Sequence, residues 1–462
     1  MKSLLNTMLA LALFAGSIVS AQESRPPNII FIMADDMGID WVSAYGSDHP
    51  TPRIDQLAEQ GLLFKNVWCN PICTPTRLQL LTGMYPFRTG WTDHHDVPRW
   101  GGLGFNWDRF TCVARPLRAA GYATAIGGKW QVNDFREHPD ALDRHGFDEH
   151  CVWTGYETGN APPSDERYWN PYLLTNGERA IHEDDFGPDV INDFLIDFMQ
   201  RNRERSFFVY YPLLLPHGPE VVTPANRDNP PGNRPGLYAG MVTHIDTLVG
   251  RIVDAIDELE LANDTVLIFT CDNGSTFGGT RHGNRYPPGK GRVTNYGAQV
   301  PFLVRAPSIL ADQAGEECLD LIDFSDLYPT FLELAGADCP EELSLDGRSI
   351  VGLLDGSATP AEKRTWIYAQ RGDGRMVRDH RYLLDNDGGF FDLVADPLQE
   401  HNLIESADAE WIEALGRLRS ILASFPDNAD PPFEGYRPSL PRRAGRGMVP
   451  GPTAQGVDNA GS

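Results

Sequence analysis

The sequence predicts an α/β fold: a large doubly wound, mostly parallel sheet flanked by helices, plus a smaller C-terminal antiparallel sheet with a covering helix. Continuous apolar runs at 28–34 (NIIFIMA), 122–126, 206–215 and 265–270 (TVLIFT) read as strands buried on both faces. Each run leads into polar residues: Asp35-Asp36, then Lys129-Trp130-Gln131 after Gly127-Gly128, then His217 after Pro216, then Asp272-Asn273. Open parallel sheets place their sites beyond the C-terminal ends of strands, so this recurrence predicts both the sheet and the location of a site.

In chain order, Asn28 opens the first strand and a helix follows, with Thr51 as cap, Pro52 in its first turn, Ile54 and Leu57 inward and Gly61 closing it. The run 72–90, ICTPTRLQLLTGMYPFRTG, predicts a short helix capped by Thr74, started by Pro75, given an apolar side by Leu78 and Leu81, and closed by Gly83. Cys73 then stands just before a helix N-terminus, where free backbone N–H groups favour anions. A helix is predicted over 111–120, while 132–187 is rich in Pro, Asn, Asp and aromatics and reads as a long loop region. Amphipathic helices are predicted over 189–201 and 238–258, a further strand over 300–304 and a helix over 325–334.

The boundary of the large unit is placed near Pro340, giving a leader over 1–21, an α/β domain over 22–340, a small α+β unit over 341–426 and a Pro/Gly-rich tail over 427–462 with a disordered end. Segments 364–370, 375–384 and 389–394 are β-rich, with Asp387-Gly388-Gly389 as a turn, and 409–425 is an amphipathic helix to cover them.

At 462 residues the chain can bury a large core. Lys2, the apolar run 4–19 and the small residues Val19-Ser20-Ala21 form a signal-peptide pattern, predicting a periplasmic or secreted protein with no membrane anchor. The formal charge of −25, which becomes −26 without Lys2, disfavours nucleic acid as a partner. Seven cysteines are an odd number for an exported chain, so one has a separate fate and the other six permit up to three disulfides.

Asp35, Asp36, Asp272 and Asn273 offer oxygen ligands, which suit a hard cation such as calcium or magnesium. Singly, Asp-Asn-Gly is a common turn and a lone cysteine on a buried helix is commonly structural; a thiolate hydrolase is a second reading of Cys73. Phosphatase loops of that kind need a longer, Gly-rich cradle than C-T-P-T-R.

The run as a whole resembles the signature of the type I, formylglycine-dependent sulfatases of the alkaline phosphatase-like superfamily: Cys73, Pro75, Arg77, then Leu81-Thr82-Gly83. Gly128-Lys129-Trp130, Pro216-His217, Gly289-Lys290-Gly291 and the late FFDLVADPLQEHNL extend the likeness across 26–403. The resemblance implies that a maturation enzyme oxidises Cys73 to formylglycine, whose hydrated form is the nucleophile. It implies one Ca2+ on Asp35, Asp36, Asp272, Asn273 and the side chain of residue 73. Lys129 and Lys290 then hold sulfate oxygens, His217 serves the leaving alcohol as acid or donor, and Arg77 stabilises the hydrated aldehyde.

Two departures stand out. Gln131 occupies a position where many sulfatases have histidine and cannot accept a proton, so another group, with His217 the first candidate, must do so or turnover is reduced. The segment after Lys290 reads Asn295-Tyr296-Gly297-Ala298-Gln299-Val300-Pro301 in place of E-G-G-x-R-V-P. Sulfate-ester hydrolysis on a sulfated carbohydrate leads the functional readings. A phosphonate or phosphate-ester hydrolase of the same superfamily is second, and a weakly active or non-catalytic glycan-binding relative is third. His94, His95, Arg99, Arg281, His282 and Arg285 are the basic residues near the motifs available to read the sugar.

Overall fold

A computed structural model describes residues 25–159, 161–340, 343–427 and 429–436. The predicted leader and most of the predicted tail lie outside the described residues. The strands are β1 Asn28–Ala34, β2 Leu62–Trp68, β3 Ala123–Lys129, β4 Glu149–Trp153, β5 Tyr172–Thr175, β6 Glu178–Ile181, β7 Phe207–Pro212 and β8 Thr265–Cys271. They continue as β9 Thr280–Arg281, β10 Asn284–Arg285, β11 Phe302–Arg305, β12 Glu317–Asp323, β13 Ile367–Arg371, β14 Gly374–Arg378, β15 Tyr382–Asp385 and β16 Phe390–Asp392.

Ten of them form one sheet in the order β12-β2-β11-β8-β1-β7-β3-β4-β5-β6. The four predicted strands, β8, β1, β7 and β3, are adjacent at its centre and mutually parallel. Their apolar runs are explained by burial on both faces: every residue of β1, β3, β7 and β8 is buried. Pairing continues past the strand ends, with Asp35 N–H donating to Leu215 O at 2.9 Å and Asp272 N–H to Ala34 O at 3.0 Å. That lateral hold fixes the polar residues that follow.

The flanks are antiparallel where β11 meets β8 and β2, and where β4, β5 and β6 follow one another. Three expectations are corrected here. The 132–187 region is no continuous loop, since it carries the helix Ala141–Arg144 and three sheet strands. The helix predicted over 111–120 forms only at Ala114–Ala119. Cys73 begins its helix, Cys73–Thr82, with Ile72 as N-cap, and all ten helical residues are buried, so the helix has no solvent side. Thr74 therefore does not cap the helix, and no side chain does; Thr76 Oγ1 instead accepts the N–H of Asn70, ahead of the helix, at 2.9 Å. Gly83 closes the helix as expected, in the left-handed region at φ 68°.

The four-stranded antiparallel sheet β13-β14-β15-β16 has two buried faces. Ile367, Ala369, Met376 and Leu383 pack on Trp68, Ala298 and Leu321 of the large unit. Tyr368, Val377, Tyr382 and Leu384 pack under Leu415, Leu418 and Leu422 of the helix Ala409–Ala423. Strand alternation accounts for this division. Beyond that helix the chain returns to the large unit, where Phe433 and Tyr436 pack on Trp91 and His95. Cys69, Cys73, Cys112, Cys151 and Cys271 are buried and form no disulfide.

One buried histidine makes the fold acid-sensitive. His145 is fully buried, stacks on Phe105 at 4.4 Å between centroids, and has Nε2 3.2 Å from Phe105 O. Burial, aided by Arg115, pushes its pKa down to about 3. The unfolded chain takes up this proton below about pH 6.5 and the folded chain does not, so the stability is complete above that pH and lost as pH falls towards 3. Each such proton adds a slope of about 1.4 kcal/mol per pH unit. His145→Phe is expected to remove one such proton from the pH 4–6 slope of denaturant-measured stability; an unchanged slope contradicts this account.

Candidate functional site

The four central strand ends and the Cys73 helix meet at one point. Arg77, one helical turn after Cys73 and only 2 % exposed, donates from Nε and a terminal nitrogen to Asp272 Oδ2 at 3.1 and 2.7 Å. It also lies 3.6 Å from Asp35 Oδ2 and donates to Lys129 O at 3.3 Å. Lys129 Nζ donates to Asp35 Oδ2 at 2.6 Å. Lys290 donates to Asp36 Oδ2, which also accepts from Thr276 Oγ1 at 3.1 Å. Asn273 Nδ2 reaches Asp36 Oδ1 at 2.9 Å, and Asp272 Oδ1 accepts the Asp36 N–H at 3.1 Å. His217 Nε2 stands 3.9 Å from Asp36 Oδ2.

Three buried carboxylates thus meet two buried cations, Arg77 and Lys129, and the partly exposed Lys290, an arrangement that is stable only because each charge is paired. Burial opposes ionisation of Asp35, but Lys129, His217, Arg77 and Lys290 hold its carboxyl well below the usual range. Asp36 is lowered likewise, chiefly by Lys290 against the same burial. Asp272 is raised by burial and by the Asp35 charge, against the pull of Arg77. His217 is pushed down to about 3 by burial and by Lys290.

Two buried oxygens in this cluster, Asp35 Oδ1 and Asn273 Oδ1, have no hydrogen-bond partner among the described residues. Orphaned acceptors of this kind are rare in folded proteins and are explained when something else is bound there. Ligand atoms of Asp35, Asp36 and His217 lie within 4.8 Å of one another. The carboxylate and amide oxygens gathered here are the donor type that suits a hard divalent cation. Backbone strain marks the same place: Asp36 has φ 77° and Gln131 φ 70°, left-handed values that non-glycine residues seldom adopt. Gly128, at φ 125°, lets β3 approach β7 closely, for a Cβ there meets Pro212 O at 1.9 Å.

The predicted sugar-reading residues divide. His94, half-buried, has Nδ1 3.4 Å from Cys73 Sγ and is therefore part of the cluster. Arg99 is exposed, its guanidinium above Trp100 and Tyr156 at 5.8 and 5.0 Å from the ring centroids. His95 is buried among Trp91, Phe433 and Tyr436, with Nε2 2.8 Å from Gly101 O, so its contacts are internal. Arg281 donates to Tyr45 O at 2.7 Å and His282 lies over Gly46. Arg285 lines a separate surface cavity of about 440 Å³ with Phe277 and Tyr286. Arg281, His282 and Arg285 have no hydrogen bond or ion pair to the cluster among the described residues, and His95 meets it only through its backbone N–H, 3.4 Å from Thr74 Oγ1.

Sequence analysis missed Arg167. It is 2 % exposed, with one terminal nitrogen 3.0 Å from Tyr156 Oη, the other 3.3 Å from His217 Nδ1 and also donating to Gly218 O. Its faces meet Trp153, Tyr156 and Tyr168. Nothing in the irregular run around it signals that a buried cation holds His217.

Comparison with known proteins agrees with this geometry. The family model described as Sulfatase matches residues 27–337. N-acetylgalactosamine-6-sulfatase of Canis lupus familiaris is 30 % identical over 405 residues, covering 80 % of this chain and 73 % of the relative. An N-acetylgalactosamine-6-O-sulfatase of Bacteroides thetaiotaomicron is 27 % identical, covering 83 % and 91 %. The crystal structure of Ps i-CgsB superposes with TM-score 0.74 at 26 % identity, over 88 % of this chain and 95 % of that one. The match spans the four central strands, the Cys73 helix and Lys290 together, and the chain belongs to the sulfatase family and is a sulfuric ester hydrolase.

Proposed function

We propose that this chain is an exported sulfatase that hydrolyses sulfate esters on a carbohydrate, using a formylglycine made from Cys73 and one bound Ca2+. The observation that carries the reading is the convergence of Cys73, Arg77, Lys129, Lys290 and His217 around two orphaned buried oxygens. Relatives named for N-acetylgalactosamine 6-sulfate and a structural neighbour solved with D-glucosamine-2-N,6-O-disulfate support a sulfated sugar as the substrate class. The apolar leader pattern of 1–21 supports export and a maturation enzyme that meets the chain on the way.

Asp35, Asp36, Asp272 and Asn273 would hold the Ca2+, which would supply positive charge to the sulfate group. Formylglycine at residue 73, once hydrated, would supply two hydroxyls on one carbon, one to attack sulfur and one to expel sulfate. The chain's own residues do the rest. Lys129 and Lys290, paired with Asp35 and Asp36, would hold the sulfate oxygens and spread charge during transfer. Arg77 anchors Asp272 and faces residue 73. His217, held by Arg167 and 3.9 Å from Asp36, is the residue assigned here to serve the leaving alcohol.

The test is to express the protein with a formylglycine-making host, determine by mass spectrometry the state of residue 73 in the peptide 66–77, and compare matched aryl sulfate and phosphate esters. An aldehyde at residue 73 with preference for the sulfate supports the reading. A uniform thiol beside a matured control sulfatase, or preference for the phosphate, overturns it.

A further inference from the structure

Among the described residues, the side chain within hydrogen-bonding range of Cys73 Sγ is His94, through Nδ1 at 3.4 Å. The same Nδ1 lies 3.1 Å from Gln131 Nε2 and 3.4 Å from Thr74 Oγ1. With the amide nitrogen facing the ring, its N–H donates, so Nδ1 is the acceptor and the ring proton sits on Nε2, and Cys73 Sγ lies within range of that same acceptor nitrogen. Gln131 is 3 % exposed, carries a strained backbone and leaves its own Oε1 without a partner among the described residues. A glutamine is thus held at some cost where its amide meets one imidazole.

The loop bearing His94 is fixed from the far side. Asp93 Oδ1 accepts the His94 N–H at 2.7 Å and Arg371 Nε at 3.0 Å, and Tyr436 Oη donates to Asp93 O at 2.8 Å. The expectation that His217 replaces a histidine at position 131 is not supported by position, because its contacts are with Asp36, Arg167 and Gly218.

We propose that His94 is a catalytic residue whose Nδ1 accepts the proton of the residue-73 hydroxyl as sulfate departs, and that Gln131 is the residue positioning its ring. The proposal rests on the formylglycine reading above. In the step, the O–H bond breaks with its proton passing to Nδ1, and its electron pair forms the carbonyl bond. The carbon–oxygen bond to sulfate breaks, and its electrons leave on sulfate. A glutamine amide cannot take that proton; it aims a neighbour that can. The chemistry missing at position 131 is supplied from a loop 37 residues earlier in the chain.

The experiment has two arms. In the first, the unmatured thiol protein is labelled with ¹⁵N-histidine, and His94 is assigned by its loss in His94→Asn. The expected spectrum has a bare Nδ1 and a protonated Nε2, and Gln131→Leu moves the His94 signals. A protonated Nδ1 means that the amide is reversed and overturns the proposal. In the second arm, matured His94→Asn and His94→Ala, each checked for an unchanged Tm, lose about 10²–10⁴-fold in kcat with KM within about threefold. Gln131→His in the His94→Ala background regains at least about tenfold, as expected for an imidazole returned to the same neighbourhood. A change confined to KM makes His94 a sugar contact and overturns the inference alone. An inactive wild-type protein of confirmed maturation overturns the proposed function, and this step with it.

Discussion

Cys73→Ala is expected to abolish sulfate-ester hydrolysis, lowering kcat/KM by about 10⁴- to 10⁶-fold, the scale on which removal of a nucleophile acts in other hydrolases. Fold stability is expected to change little. Cys73 is fully buried, but alanine removes a single sulfur atom, so the cavity left costs on the order of 1 kcal/mol. Arg77, Asp272 and Lys129 bond to one another without involving the sulfur, so the charged cluster survives the substitution. The measurement is kcat/KM on an aryl sulfate together with Tm. Activity retained within tenfold removes residue 73 from the mechanism, whatever its chemical state.

The second large effect is expected at Asp35. Asp35→Asn keeps the shape of the side chain and removes the charge that pairs Lys129, which is 4 % exposed. Breaking a buried pair from one side costs about 3–5 kcal/mol, because the remaining charge stays desolvated. The variant also loses a negative oxygen from the proposed Ca2+ set. Wild-type protein is expected to gain thermal stability with added Ca2+ and to lose it, with activity, on chelation. D35N is expected to unfold at lower temperature, to show a much smaller Ca2+-dependent shift in Tm, and to lose at least about 10³-fold in kcat/KM. An equal Ca2+ shift in both proteins contradicts a cation bound at these oxygens.

The centre of the fold was legible because burial on both faces leaves a continuous apolar run, and β1, β7 and β8 carry such runs with polar residues just beyond. The edges were not. In β12, ECLDLID, the first four residues alternate exposed and partly buried at a sheet edge and only the last three are buried, so no continuous apolar run marks the strand. β2 carries Lys65 and Asn66 in mid-strand, half-exposed, which interrupts the apolar signal. β4 to β6 are four or five residues long, too short for periodicity to separate them from their Pro- and Gly-rich surroundings.

The site divides in the same way. Residues at strand ends are placed by the sheet, so Asp35, Asp36, Lys129, Asp272 and Asn273 could be found from pattern. His94 and Arg167 are placed by loops, and a loop's path depends on tertiary contacts such as Asp93 with Arg371. His94 and His95 were indistinguishable as neighbours in sequence; the structure turns one towards Cys73 and the other into an aromatic cage.

The hold on that loop also sets a schedule. Its two clamps lie 278 and 343 residues downstream of Asp93, at Arg371 and Tyr436. At about 5–20 residues per second, a ribosome needs on the order of 20–70 s to get from Asp93 to Tyr436. Throughout that interval Cys73 has been made while the last residues that pin its neighbourhood have not. A thiol that ends fully buried is open to a maturation enzyme before those clamps close, so the proposed oxidation of Cys73 competes with closure of this loop.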